Sequence, residues 1–158
     1  MKQLTGILAA CILILGLAGG SEAQSDNHSV TVTLSAINTI DVDNDVTLTI
    51  NSATPGQDPD PVVDNATAEL AWTTNASSKK ITVETDLAAP NYTLEVEAIN
   101  QTAGTPAGKA TLSTTAADFL TGVGKTAGTC DLEYTASATV SDDPGTEVHT
   151  VTYTMTNE

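Results

Sequence analysis

The sequence predicts an all-β protein, an antiparallel β-sandwich of about eight strands with one short helical turn. Apolar residues alternate with Thr, Glu, Asp and Ser in many segments, whereas the 3.6-residue period of an amphipathic helix is almost absent. Clusters of Gly, Pro, Asn, Asp and Ser separate these segments at short intervals, as in β-sandwiches. Because one face of each predicted strand is polar, we expect antiparallel sheets that expose that face to solvent.

The first 23 residues have the organisation of a secretory signal peptide. Lys2 supplies a positive charge, residues 4–17 are nearly all apolar, and Ser21 and Ala23 place small residues where a signal peptidase cleaves. We expect cleavage after Ala23. The sequence therefore predicts a secreted protein, extracellular or on the cell surface, with the periplasm as a further compartment.

Two alternatives for this leader would keep the protein at a membrane. Cys11 follows Leu8-Ala9-Ala10, which resembles a lipoprotein signal, and an uncleaved leader could serve as an anchor. Cleavage before Cys11 would leave an apolar mature N-terminus, and the apolar run is shorter than the ~20 residues that span a bilayer. We therefore expect no membrane attachment after cleavage.

The remainder, residues 24–158, is predicted to form a single β-sandwich domain. The alternating segments lie at residues 30–34, 46–50, 68–72, 81–83, 92–98, 110–112, 130–140 and 151–155. Residues 115–120 break the alternation and are followed by Gly122 and Gly124, so we expect a helical turn there. The inward positions are predicted for Trp72, Tyr92, Cys130, Leu132, Tyr134 and Tyr153, whereas Phe119 cannot be assigned to either face.

The charge balance excludes nucleic acid as a partner. Asp and Glu number 20 against 5 Lys and Arg together, which gives a formal net charge of -15, and there is no arginine. This charge repels a phosphate backbone, and no guanidinium is present to bind phosphate through two parallel hydrogen bonds.

The sequence offers no plausible catalytic set. Beyond the leader the only histidines are His28 and His149, and neither has recognisable partners for nucleophilic catalysis. Cys130 shares the inward positions of its strand, which favours a buried thiol over a reactive one. We therefore predict that the protein is not an enzyme.

One group of carboxylates is a weak candidate for a metal site. Asp41, Asp43 and Asp45 match the opening of a calcium loop, but Val46 and Ser52 stand where the helix–loop–helix motif requires Gly and Glu. Either a looser calcium site or a solvated acidic turn is compatible with this pattern. No cofactor is predicted beyond weak calcium binding.

The arrangement resembles secreted bacterial β-sandwich proteins of the fimbrial and pilin-like kind. The resemblance is carried by the leader, by the strand Val30-Thr31-Val32-Thr33-Leu34, and by the terminal strand Val151-Thr152-Tyr153-Thr154-Met155. It implies an immunoglobulin-like or pilin-like sandwich and a structural or adhesive role at the cell surface. With Cys130 alone, the mature chain lacks the disulfide of chaperone–usher pilins.

We therefore predict a non-enzymatic secreted structural or adhesive protein, such as a subunit of a surface fibre or matrix. The alternative is an extracellular calcium- or carbohydrate-binding module. The expected partner is another protein, including a second copy joined by strand addition. Residues 30–34 can either pair within their own sheet or reach into a neighbouring subunit.

Overall fold

The computed structural model describes residues 23–158. They comprise a leading segment, residues 23–33, and a folded unit, Leu34–Glu158. The leading segment contains no helix or strand, and the folded unit contains ten strands and, within the described residues, no helix. The predicted all-β class is confirmed. The predicted signal peptide lies outside the described residues, apart from Ala23.

The ten strands differ widely in length, from two residues to twelve. They are β1 (Asn38–Val42), β2 (Val62–Asp64), β3 (Glu69–Thr74), β4 (Lys79–Thr85), β5 (Thr93–Ile99), β6 (Thr105–Pro106), β7 (Ala110–Thr111), β8 (Ala117–Val123), β9 (Thr126–Ser137) and β10 (Val151–Asn157).

The strands form two antiparallel sheets. The first sheet has the order β1-β3-β9-β5-β7, and β2 pairs with β9 beyond the end of β3. The second sheet has the order β10-β4-β8-β6. β9 is the longest strand because it pairs with β3 and β2 on one side and with β5 on the other.

The core lies between the inward faces of the two sheets. The first sheet contributes Leu70, Trp72 and Leu132, among others, and the second contributes Ile81 and Phe119; all of these are buried. This distribution confirms the inward positions predicted for Trp72, Cys130, Leu132, Tyr134 and Tyr153, whereas Tyr92 is only half-buried. Burial of apolar side chains from both sheets is the main stabilising contribution expected of such a sandwich.

The predicted helical turn at residues 115–120 is wrong, because the chain enters β8 at Ala117. Thr82 pairs with Asp118 and the preceding Ile81 pairs with Leu120, so Phe119 is the extra residue of a β-bulge. The bulge lets Phe119 and Leu120, although adjacent, both point into the core. Two consecutive inward residues remove the alternation on which a strand prediction depends.

Residues 30–34 were expected to form the first strand, and this prediction is wrong for the single chain. They belong to no strand, and the side chains of Val30, Val32 and Leu34 are 73%, 88% and 76% exposed. An alternating pattern indicates the capacity to form a strand, but a strand also needs a partner edge.

Residues 46–50 are not a strand either, although their burial follows the predicted alternation. Val46, Leu48 and Ile50 are half-buried and the intervening threonines are exposed. Val46 and Leu48 pack against the core without entering a β-ladder. The predicted strand 130–140 also ends early, at Ser137, and Val140 is 77% exposed.

Three short strands, β1, β2 and β6, have no counterpart in the prediction. β2 and β6 consist of three and two residues and include polar and proline positions, so they carry too little alternation to be recognised. β1 contains Asp41, which the sequence had placed with a turn. Its pairing with β3 keeps Asp41 on a regular strand.

Candidate functional site

The three aspartates predicted as a weak calcium site occupy different structural positions. Asp41 lies within β1 and is exposed, and Asp45 is exposed beyond the turn. Asp43 Oδ1 accepts a hydrogen bond from the Glu69 backbone N–H at 2.6 Å. Asn44 between them has a φ of +51° and donates its side-chain N–H to the Thr67 carbonyl at 3.2 Å. This turn uses Asp43 to hold the start of β3.

Asp64 likewise holds a turn through hydrogen bonds. It accepts hydrogen bonds from the hydroxyl and the N–H of Thr67, and the hydroxyl bond is the main reason that the pKa of Asp64 is lowered. Among residues 23–158, no three His, Cys, Asp or Glu side chains are grouped so as to hold a metal ion.

A cluster around Glu147 joins the segment before β10 to the rest of the folded unit. Glu147 accepts hydrogen bonds from the backbone N–H groups of Asn91 at 2.8 Å and Tyr92 at 2.9 Å. His149 Nδ1 lies 3.1 Å from Thr85 Oγ1, and its Nε2 lies 3.8 Å from Glu147 Oε1. These contacts connect the end of β4 and the start of β5 to the segment that leads into β10.

Thr85, His149 and Glu147 present a hydroxyl, an imidazole and a carboxylate in a row. These are the groups of a catalytic nucleophile, its general base and the carboxylate that orients the base. Thr85 is only 2% exposed, however, so its hydroxyl is closed to a substrate. No partner for His149 was recognisable in the sequence, and the structure places it half-buried between Thr85 and Glu147. The hydrogen bonds of the cluster hold the segment before β10 against the end of β4 and the start of β5.

The carboxylates of the cluster are favoured in their ionised form. Burial raises the pKa of Glu147, but the N–H groups of Asn91 and Tyr92, together with His149, bring it below its ordinary value. Asp86 accepts the Thr150 N–H at 2.8 Å, and this bond lowers the pKa of Asp86. The segment before β10 is therefore attached through hydrogen bonds that ionised carboxylates accept.

The thiol and the aromatic rings are largely unavailable to ligands. Cys130 is 1% exposed, and burial, followed by the nearby Asp131 and Glu69, raises its pKa to about 12. Trp72 and Phe119 are also buried, so neither ring can serve as a stacking surface for a sugar or a base. Only Tyr92 is accessible in part, and its hydroxyl donates to the Asp143 carbonyl at 2.8 Å.

An open groove of about 560 Å³ crosses β1, β3 and β9. Its lining includes Thr39, Asp41, Ala71, Thr73 and Thr129, which are small side chains with hydroxyl, methyl and carboxylate groups. Ala71 and Thr73 alternate with buried residues of β3, so the groove lies on the outer face of the first sheet. It contains no charged group besides Asp41 and no exposed aromatic ring.

The edges of the two sheets are a further place at which another extended segment can bind. The first sheet ends at β1 and β7, and the second ends at β10 and β6. The three-residue β2 pairs with β9 alone among the described strands, which makes it a further short edge. A strand at a sheet edge presents unpaired N–H and C=O groups to which another extended segment can bind. β10 is the longest of these strands, with seven residues.

Residues 29–34, the end of the leading segment together with Leu34, have the composition of a strand. Ser29, together with residues 30–34, contains no charged side chain and alternates Val or Leu with Ser or Thr. The apolar side chains of this stretch are Val30, Val32 and Leu34, and all three are largely exposed. The alternation predicts a strand here, but the segment takes part in no ladder among the described residues.

No protein-family model matches this chain, and no curated protein matches it. The described part of the chain also contains no apolar helix of membrane-spanning length.

Proposed function

We propose that this chain is a secreted, non-enzymatic structural or adhesive protein whose copies associate by strand addition. The observation that carries the proposal is the exposed segment 29–34, which has the composition of a strand but no ladder partner among residues 23–158. Strand addition would bury Val30, Val32 and Leu34 and satisfy the segment's backbone hydrogen-bonding groups. A surface fibre or matrix subunit is the form of this function that a repeated, head-to-tail addition produces.

Secretion is tested by the mass of the exported protein. An N-terminus at Gln24 is expected, because Ser21 and Ala23 have the spacing that signal peptidase requires. A lipid-modified N-terminal Cys11 would contradict the proposed secretion of a free protein.

Association is tested by sedimentation velocity and negative-stain electron microscopy of the exported protein at increasing concentration. We expect oligomers or filaments for the unaltered chain and monomers for a Val30→Asp, Val32→Asp variant, because the two carboxylates would have to be buried in the added strand. A Thr31→Ser, Thr33→Ser variant keeps the apolar face and serves as the matched control.

The aspartate variant should remain folded, since residues 30 and 32 lie in no strand of the described structure. Circular dichroism checks this. A monomeric unaltered chain over the whole concentration range would overturn the proposal, and so would oligomers that persist unchanged in the aspartate variant.

A further inference from the structure

We infer that the edge that receives residues 29–34 of a second copy is β10, an inference that rests on the proposed function. The choice of β10 among the sheet edges follows from their lengths, their charges and the residues that obstruct them. Natural proteins protect exposed edges with short strands, charges, proline and bulges. An edge that lacks all of these is the one at which strand addition is expected.

The three other terminal strands are obstructed in this way, and the edge of β2 offers only three residues, the last of which is the charged Asp64. β7 consists of Ala110–Thr111 and β6 of Thr105–Pro106, so each offers two residues, and Pro106 has no N–H to donate. β1 contains the charged Asp41, and its continuation is bound to β3 through Asp43. None of these edges offers a long uncharged ladder.

β10 has none of these obstructions. Its seven residues, Val151–Asn157, include no charge, no proline and no glycine. Its pairing with β4 runs without a register shift from Val151 opposite Thr85 to Asn157 opposite Lys79. β1 approaches β10, but no ladder joins the two strands, so one side of β10 is without ladder partners among the described residues.

The two faces of β10 correspond to the two faces of segment 29–34. Val151, Tyr153 and Met155 point toward the core, and the exposed Thr152 and Thr154 alternate with them on the outer face. A segment added beside β10 would extend the apolar row with Val30 and Val32 and the threonine row with Thr31 and Thr33. A one-residue slip would expose the apolar row, so the alternation limits the permitted registers.

Charge also favours this edge. Two copies that each carry a net charge of -15 repel one another, and an uncharged contact limits that cost. The outer face of the first sheet is strongly acidic, with Glu97 directly opposite Glu133 and Glu69 directly opposite Asp131. Next to β10, β4 carries Lys79, Lys80 and Glu84, and Lys80 is paired with Asp118. Since β10 and residues 29–34 are both uncharged, their pairing brings no two like charges into direct contact.

Disulfide trapping between two singly substituted chains tests the assignment. Each of these terminal strands contains a threonine, which makes Thr→Cys a matched change at Thr152 or Thr154 in β10, Thr39 in β1, Thr105 in β6 and Thr111 in β7. Each variant also carries Cys130→Ala and is mixed with a chain that carries Thr31→Cys and Cys130→Ala. Oxidised samples are then separated on non-reducing gels.

We expect a reducible heterodimer with Thr154→Cys, or with Thr152→Cys if the register differs, and none with the three other edges. Assembly with cross-links at β1, β6 or β7, or assembly without any cross-link at β10, overturns the assignment and leaves the proposed function intact. A chain that sediments as a monomer overturns both. Circular dichroism of each variant confirms that the cysteine has not altered the fold.

Discussion

The hydroxyl oxygens of Tyr134 and Tyr153 lie 2.9 Å apart and form a hydrogen bond in the buried core. Tyr134 belongs to β9 of the first sheet and Tyr153 to β10 of the second, so the bond ties the two sheets together. Phe119 packs edge-on against the Tyr153 ring, with 5.0 Å between ring centroids. The bulge in β8, which turns Phe119 inward, thus supports the same inter-sheet contact.

Tyr134→Phe should lower the free energy of unfolding by about 1 to 3 kcal/mol, because it leaves the Tyr153 hydroxyl buried without its partner. The double variant Tyr134→Phe, Tyr153→Phe should lose less than the sum of the two single losses, since it removes both polar groups. Urea denaturation of the four proteins measures this coupling. Strictly additive losses would show that the hydrogen bond contributes nothing specific.

The same pair predicts that the protein loses stability in strong alkali. Burial raises the pKa of both tyrosines above 10, and burial likewise raises the pKa of Cys130. Groups whose pKa is raised by folding stabilise the protein fully below their unfolded pKa, and that contribution is lost progressively as the pH rises above it. The free energy of unfolding should therefore decline above about pH 9 to 10, first through Cys130 and then through the tyrosines.

This decline is measured by urea denaturation at a series of pH values. A Cys130→Ala, Tyr134→Phe, Tyr153→Phe variant should show a smaller decline than the unaltered protein. An equal slope in the two proteins would assign the alkaline loss to other groups.

Gly128→Ala should lower the free energy of unfolding by about 1 to 3 kcal/mol through overpacking. Gly128 pairs with Trp72, and a Cβ atom at Gly128 would lie 2.6 Å from the indole ring. The indole is buried and must shift, which the tryptophan fluorescence spectrum should also report. Gly124→Ala is the control, because a Cβ atom there has nothing within 4 Å. Equal stability of the two variants would contradict the packing described here.

Leu132→Ala should lower the free energy of unfolding by about 2 to 5 kcal/mol by leaving a cavity in the core. Leu132 is 0% exposed, whereas its neighbour Glu133 faces outward across from Glu97. Glu133→Ala should cost little or even stabilise, since it removes a like-charge pair between adjacent strands. Thermal and urea unfolding distinguish the two variants, and similar losses would mean that the two faces of β9 are misassigned.

Glu147→Gln should lower the stability near neutral pH by about 1 to 3 kcal/mol, because the charged acceptor for two backbone N–H groups becomes neutral. The pKa of Glu147 is lowered in the folded protein, so its contribution is present above the unfolded pKa and disappears as the pH falls through the folded pKa. The difference between Glu147→Gln and the unaltered protein should accordingly shrink on acidification. Glu133→Gln on the outer face is the control, and a pH-independent difference at Glu147 would contradict the assigned role.

Much of the fold was predictable because inward and outward side chains alternate along a strand, and this alternation can be recognised in the sequence. The alternation through Cys130, Leu132 and Tyr134 predicted both β9 and its buried face. The same reasoning failed at Phe119, where a bulge places adjacent residues on one face, and a local pattern contains no signal for a bulge of this kind. The acidic set Asp41, Asp43 and Asp45 was recognisable as a cluster, but its use in holding β3 depends on Glu69, which is distant in sequence.

The sequence by itself determined the all-β class, the faces of the long strands and the strand-forming character of residues 30–34, because these depend on neighbouring residues alone. The tertiary structure decided which strand-like segments obtain partners. Residues 30–34 and 46–50 alternate as clearly as 151–155, yet only the last pairs with β4. A ladder requires a second strand at the correct distance and register, and that second strand is a property of the folded chain. For the same reason the open edge of β10 emerged only once the order of the strands in each sheet was known.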